Sequence, residues 1–148
     1  MKQRSSEWFK VRAGKITGSR FSRAMARKDT LKYKDLIDEL LAERLSGRSQ
    51  DSGFINQAMQ WGMDHEDLAR SWYSEKYSKN VQQAGFIEHP KYDFVGVSPD
   101  GLVGRTGLVE IKCPQLHNFK DVKETNIVPS RYRWQIQGQL WVCQRKWT

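Results

Sequence analysis

Near residue 80 the spacing of apolar residues changes, and that change bounds the folds open to this chain. Before it, Leu36, Ile37, Leu40, Leu41 and Leu45 recur at helical spacing on one face of a helix over Leu31–Leu45. Ile55, Met59, Leu68, Ala69, Trp72 and Tyr73 do the same between Phe54 and Tyr77. After it come three short β-rich runs, Gly85–Glu88, Phe94–Val97 and Leu108–Ile111, punctuated by Pro, Asp and Gly. A last helix is expected over Ser130–Cys143, with Trp134, Gln137, Leu140 and Trp141 on one face. Helices, then a strand meander, then a helix predict an α/β or α+β fold, a sheet flanked by helices. Trp61, Trp72 and Trp141 are expected in its core.

Shorter signals refine the N-terminal part. Ser5 or Ser6 ahead of Glu7-Trp8-Phe9 starts a short helix that Gly14 ends. Thr17 or Ser19 caps a second helix through Phe21 and Met25, and Gly47–Gly53 reads as a polar loop.

At 148 residues the chain has room for one domain, expected over residues 1–148. Its 38% hydrophobic content, with six Trp, supplies a core. No apolar run approaches the roughly 18 residues of a membrane span, and Met1-Lys2-Gln3-Arg4 leads into no signal core. The expectation is a soluble cytoplasmic protein without a membrane partner. Lys and Arg number 25 against 17 Asp and Glu, a formal charge of +8 that favours polyanionic partners. Cys113 and Cys143 are too few for a four-cysteine zinc or iron-sulfur site and read as two reduced, half-buried thiols. His65, His89 and His117 lack zinc-ligand spacing and read as surface or packing residues.

Two neighbouring stretches carry the chemistry: Ser98-Pro99-Asp100-Gly101-Leu102, and Leu108-Val109-Glu110-Ile111-Lys112-Cys113-Pro114. Two residues apart on a strand, Glu110 and Lys112 project to one face. A turn through Pro99-Asp100-Gly101 can bring Asp100 beside them. Converging carboxylates repel unless a cation lies between them. Hard oxygen ligands of this kind suit Mg²⁺, with Mn²⁺ as the alternative. An adjacent ammonium can then orient and help deprotonate a water for attack on phosphorus. A bland reading has Glu110 and Lys112 merely paired at a sheet edge and Asp100 an ordinary turn residue.

Counted as one block, these two stretches are joined in order by three others. They are Trp8-Phe9-Lys10-Val11-Arg12-Ala13-Gly14-Lys15-Ile16-Thr17-Gly18-Ser19, then Trp61-Gly62-Met63-Asp64-His65-Glu66-Asp67-Leu68-Ala69-Arg70, and, after the two stretches above, Gln135-Ile136-Gln137-Gly138-Gln139-Leu140-Trp141-Val142. Together they resemble the phage lambda-type exonuclease family of viral recombination nucleases, part of the PD-(D/E)xK superfamily, from about Trp8 to Val142. The resemblance implies a restriction-endonuclease-like central mixed β-sheet flanked by helices. It implies that Asp100 and Glu110 bind the metal with help from the Ile111 carbonyl, and that Lys112 serves the nucleophilic water. Glu66 matches the family's helical glutamate, which helps hold the metal or its water, and Gln135 its active-site glutamine. Arg12, with Ser19 and Thr17, matches a pocket for a 5′-terminal phosphate, where a planar guanidinium suits phosphate oxygens. Compared with longer members, the chain stops soon after its last helix, short of their C-terminal segment.

The function implied is a Mg²⁺-dependent exonuclease degrading one strand of linear duplex DNA from a 5′ end, in recombination or end processing. The family's habit adds a homotrimeric ring and a single-strand annealing protein as partner. An endonuclease on the same core and a catalytically silent DNA-binding subunit are the alternatives. Cleavage of closed circles distinguishes the first, and binding without metal-dependent cutting the second.

Overall fold

The computed structural model describes residues 1–50 and 55–148, with no side-chain detail at 116–118 and 121. Asp51–Gly53 of the expected loop, the expected helix start at Phe54 and the side chain of His117 lie outside the described residues.

Ser5, Thr30 and Asn56 cap helices with their side chains, but the expected cap at Thr17 or Ser19 is not made: Thr17 precedes the next turn with its hydroxyl buried and bonded to no amide there. Helix α1, Ser6–Arg12, begins where the Ser5 hydroxyl accepts from the Trp8 N–H at 3.2 Å. A 3-10 turn, Gly18–Arg20, leads directly into α2, Phe21–Ala24. Thr30 caps α3, Leu31–Ser46, which ends at Gly47 with φ 66°, the left-handed conformation glycine adopts without a Cβ clash. Asn56 caps α4, Gln57–Tyr77. Helix α5, Leu116–Thr125, occupies a segment whose spacing gave no helix signal. A 3-10 turn over Ser130–Tyr132 precedes α6, Arg133–Cys143.

Between α4 and α5 run five short strands: β1 (Val81–Gln82), β2 (Ile87–Glu88), β3 (Gly96–Val97), β4 (Gly101–Val103) and β5 (Gly107–Val109). Among the described residues they form a sheet ordered β1-β4-β5 and a β2-β3 pair, all antiparallel. Parallel pairing enters as single bridges, Ile16 with Val95 and Gly107 with Trp147. The β4–β5 register, Gly101 opposite Val109 and Val103 opposite Gly107, turns through Gly104. Expected strands at 85–88, 94–97 and 108–111 correspond to β2, β3 and β5. The last ends at Val109, so Glu110 and Lys112 stand just beyond the strand rather than on it. Strands β1 and β4 were not expected. Each is two or three residues long, too short for an alternation to register.

Helix α6 packs on the β2–β3 pair, and Val142 joins Phe21, Val95 and Val97 in the core, with Ile16, Tyr92 and Cys143 packed against them. Gly138 makes this approach close: a Cβ there would run into the Phe21 ring. The packed face of α6 is therefore Gly138, Gln139 and Val142, not the expected one of Trp134, Gln137, Leu140 and Trp141. Trp141 is 47% exposed, lying edge-on to Phe21 and beside His89.

Two further expectations about burial are corrected. On α3, Leu36 and Leu40 are buried, but Ile37, Leu41 and Leu45 are exposed. No residue of α4 is buried, and Ile55, Met59, Trp61, Leu68 and Trp72 are all exposed. The side of α4 turned to the sheet carries Glu66 and Arg70, which hold polar contacts there, so its apolar residues face away from the core. Trp61 instead stacks on His65 one turn away, with centroids 3.8 Å apart.

A buried ion pair fixes the segment leading to α2. Glu43, fully buried on α3, accepts from both terminal nitrogens of Arg20 at 2.9 and 2.6 Å. It also accepts from the backbone N–H groups of Gly14 and Gln50. Burial pushes the Glu43 carboxyl up, but the Arg20 hydrogen bond, those two amides and the Arg20 charge outweigh it and hold it below the usual range.

Candidate active site

The β4–β5 hairpin assembles the centre. With Gly101 opposite Val109, one further step outward sets Asp100 opposite Glu110, at the open end of the two strands. Pro99 and Asp100 are both buried, and Gly101 lies so close to Val81 that a Cβ would overlap its side chain. Asp100 is thus held on a tightly packed turn. Its Oδ2 accepts from the Ile111 N–H at 2.6 Å, and its backbone carbonyl accepts from Arg70 Nε at 2.9 Å. The residue expected to lend a carbonyl ligand is therefore tied to the first carboxylate.

Around Glu110 the structure places three donors. Lys112 Nζ donates to Oε1, Gln135 Nε2 donates to the same oxygen at 2.5 Å, and Gln139 Nε2 donates to Oε2 at 2.6 Å. Both glutamines come from α6, four residues apart, so they sit one turn above each other on one face. Lys112 Nζ also lies 5.2 Å from the Tyr132 ring centroid. Asp100, Glu110, Ile111, Lys112 and Gln135 are thus brought together as expected.

Glu66 approaches from α4. Its Oε1 accepts from Arg70 at 2.6 Å, and Arg4 stands 3.7 Å from its Oε2. The same Arg70 reaches the Asp100 carbonyl, so one guanidinium joins the helix to the hairpin. Burial pushes the Asp100 carboxyl up to about 7, the charges of Glu110 and Glu66 add to the rise, and the Ile111 N–H and Lys112 oppose it.

The expected phosphate residues lie on α1 and the turn after it. Arg12 is buried rather than solvated, with its guanidinium 3.8 Å above the Trp8 ring. Trp8 in turn donates from Nε1 to the Ser98 hydroxyl at 2.8 Å, which links this stack to the Ser98-Pro99-Asp100 turn. Thr17 is fully buried, and its hydroxyl has no hydrogen-bond partner among the described residues. Gly18 beside it is packed against both glutamines: a Cβ there would sit 3.7 Å from Gln135 Cγ and 3.8 Å from Gln139 Nε2. Ser19 is exposed.

Two residues of the site escaped the sequence reading. Gln139 was quoted within a block and given no role; its spacing of four from Gln135 on a helix was the available signal. Arg70, at the end of the Trp61 block, follows Glu66 by one helical turn.

Among the described residues no three His, Cys, Asp or Glu side chains are close enough to hold a metal ion by themselves. Asp100 and Glu110 nonetheless fit Mg²⁺, which binds through one or two carboxylates and keeps waters and substrate phosphates as its other ligands. Cys113 and Cys143 are free and half-buried, as expected, and burial pushes the Cys143 thiol up to about 11. No helix among the described residues is long and apolar enough to cross a membrane.

Residues 7–146 match the YqaJ-like viral recombinase domain. The chain is 37% identical to an alkaline exonuclease of Laribacter hongkongensis, whose crystal structure it matches with a TM-score of 0.87 over 96% of this chain and 70% of that one. The same enzyme in complex with dAMP matches with a TM-score of 0.87 at 36% identity. An uncharacterized protein of Acanthamoeba polyphaga mimivirus is 31% identical over 96% of this chain, which spans 27% of that relative's length. The folded core, the four sequence blocks and the match over nearly the whole chain have one meaning: the chain belongs to the YqaJ-like viral recombinase family.

Proposed function

We propose that this protein is a divalent-metal-dependent deoxyribonuclease that shortens one strand of linear duplex DNA from its 5′ end, in recombination or end processing. The observation that carries the reading is the convergence of Asp100 and Glu110 at the end of one hairpin, with Asp100 on the Ile111 N–H and Lys112 on Glu110. The solved relative's exonuclease activity and its complex with a nucleoside monophosphate support it.

Asp100, Glu110 and the Ile111 carbonyl would hold Mg²⁺ or Mn²⁺, with Glu66 at the edge of the site. Such an ion supplies charge to polarise a phosphate and acidify water. Lys112 Nζ, the one cation touching Glu110 among the described residues, orients the attacking water and meets charge building on the phosphate oxygens. Gln135 and Gln139 keep Glu110 from rotating away. Arg12, stacked on Trp8 and helped by Thr17 and Ser19, receives the terminal 5′-phosphate. Attack on the next phosphorus breaks its bond to the 3′-oxygen, releases a nucleoside 5′-monophosphate and leaves a new 5′-phosphate on the shortened strand. The end-recognition group is thereby regenerated at each cut. In this reading the protein acts in the cytoplasm of a bacterial or phage-infected cell, as a homotrimer working with a single-strand annealing protein.

The test is digestion of linear duplex DNA labelled at either end, with Mg²⁺ or EDTA, beside a closed circle and an Asp100→Ala control. Metal-dependent loss of the 5′ label from linear DNA alone is expected. Cutting of the circle would replace this reading with an endonuclease, and binding without cutting would replace it with a silent subunit.

A further inference from the structure

We infer that the N-terminal segment forms a second phosphate-binding site, in which Arg4 and Lys2 grip a DNA backbone phosphate adjoining the scissile one. This rests on the nuclease reading above and extends it to residues outside the four sequence blocks.

Arg4 adopts φ 65°, a left-handed conformation uncommon for any residue with a side chain. Both neighbours are pinned. Gln3 Nε2 donates to the carbonyls of Ala84 at 2.8 Å and Pro99 at 3.1 Å, which fastens the segment to the turn that carries Asp100. Ser5 donates to the Lys2 carbonyl at 2.8 Å while capping α1. A Cβ on Gly85 would stand 2.6 Å from the Met1 carbonyl oxygen, so the segment lies tight against the strand region. Strained backbone held from both sides points to a side chain whose direction matters.

That direction is into a cleft of about 460 Å³ lined by Lys2, Gln3, Arg4, Ser5, Glu66 and Asp67, among others. The Arg4 guanidinium meets Glu66 at 3.7 Å with its side chain 48% exposed. Glu66 is already paired at 2.6 Å by Arg70, and Arg70 also holds Asp67 at 2.5 Å. One guanidinium on α4 is thus shared between the two carboxylates of the cleft. Arg4 balances the second carboxylate with a fork of five donors, and Lys2 leaves the group one positive charge in excess, three cations against two carboxylates. A polyanionic strand running past Glu66 towards Asp100 is the ligand that this surplus fits.

The backbone geometry provides a clean variant. Arg4→Gly removes the guanidinium while supplying the residue that φ 65° favours, so melting temperature is retained or raised. Binding to 5′-phosphorylated linear duplex DNA is read by fluorescence anisotropy, with Ca²⁺ in place of Mg²⁺ to prevent cutting, between about 0.05 and 0.2 M salt. Arg4→Gly is expected to weaken Kd about three- to tenfold and lower the salt slope by about one, with Arg4→Lys recovering the slope. Wild-type binding with an unchanged Arg4→Gly titration overturns this inference alone. Absence of binding by the wild type overturns the nuclease reading and the inference together.

Discussion

Gln139 and Glu110 are 29 residues apart in the chain, yet Gln139 Nε2 donates to Glu110 Oε2 at 2.6 Å. Gln139 is 1% exposed and, through Gly18, lies against the turn that carries Thr17, so it positions Glu110 without reaching solvent. Gln139→Leu keeps the volume and removes one donor to a charged acceptor, a bond worth about 1.5–3 kcal/mol. The expected outcome is a fall in kcat of about tenfold or more and weaker Mg²⁺ dependence, with DNA affinity little changed. Kinetics at saturating DNA across a Mg²⁺ titration check it, and a loss confined to KM would remove Gln139 from the metal side of the site.

Asp100 makes the metal-free protein pH-sensitive in a stated direction. Its folded carboxyl lies at about 7 against 3.8 in the unfolded chain, so between those values the folded state binds more protons. Stability contributed by this group is therefore present in acid and lost as pH rises through about 7. In EDTA, Tm should fall between about pH 5 and 7.5, by roughly 2–4 °C for each kcal/mol lost in a chain of this size. Asp100→Asn should flatten that slope, and Mg²⁺ should raise Tm more at high pH than at low pH. Calorimetric or fluorescence melts at both pH values decide it; an equal Mg²⁺ effect would detach Asp100 from the ion.

The Arg20–Glu43 pair predicts the opposite dependence. Glu43 is held below its ordinary range, so its contribution is present above the unfolded pKa and lost as pH falls. Glu43→Ala leaves Arg20 its bonds to Glu39 and the Lys15 carbonyl but removes its buried carboxylate partner and the acceptor of the buried Gly14 N–H, and should cost about 1.5–3 kcal/mol. Urea unfolding near neutral pH measures this directly. A loss below about 1 kcal/mol would mean that the network is replaced by water.

Arg12→Ala should harm digestion of 5′-phosphorylated ends more than 5′-hydroxyl ends, because the guanidinium on Trp8 is assigned to the terminal phosphate. The ratio of the two rates is the readout, since lost stacking affects both substrates alike. Equal loss would leave Arg12 a packing residue of α1.

Much of this site was legible in the sequence because its residues fall in compact blocks around strong turn formers. Pro99-Asp100-Gly101 announced a turn; Lys112 does meet Glu110, although the strand expected to aim them both ends at Val109. What could not be read was packing. Periodicity identifies an apolar face without naming what covers it, so Leu41, Leu45, Leu68 and Trp72 were expected inside and lie outside. Trp141 went the same way because Gly138 lets the Phe21 ring pack on the α6 backbone, which leaves the indole only an edge-on contact with that ring. Strands of two or three residues, such as β1 and β4, carry too little pattern to detect. Arg12 lies over the indole of Trp8, one turn earlier on α1, a local pairing; that this face of α1 is buried depends on the fold.

Phosphodiester hydrolysis by the Asp100–Glu110 pair with Lys112 stands or falls on single-turnover digestion of a 5′-phosphorylated duplex by Lys112→Ala. The variant's rate is expected to be lower by about 10²–10⁴-fold with Mg²⁺ present, while its affinity for the same DNA stays within about twofold. A near-normal rate in that variant would contradict it.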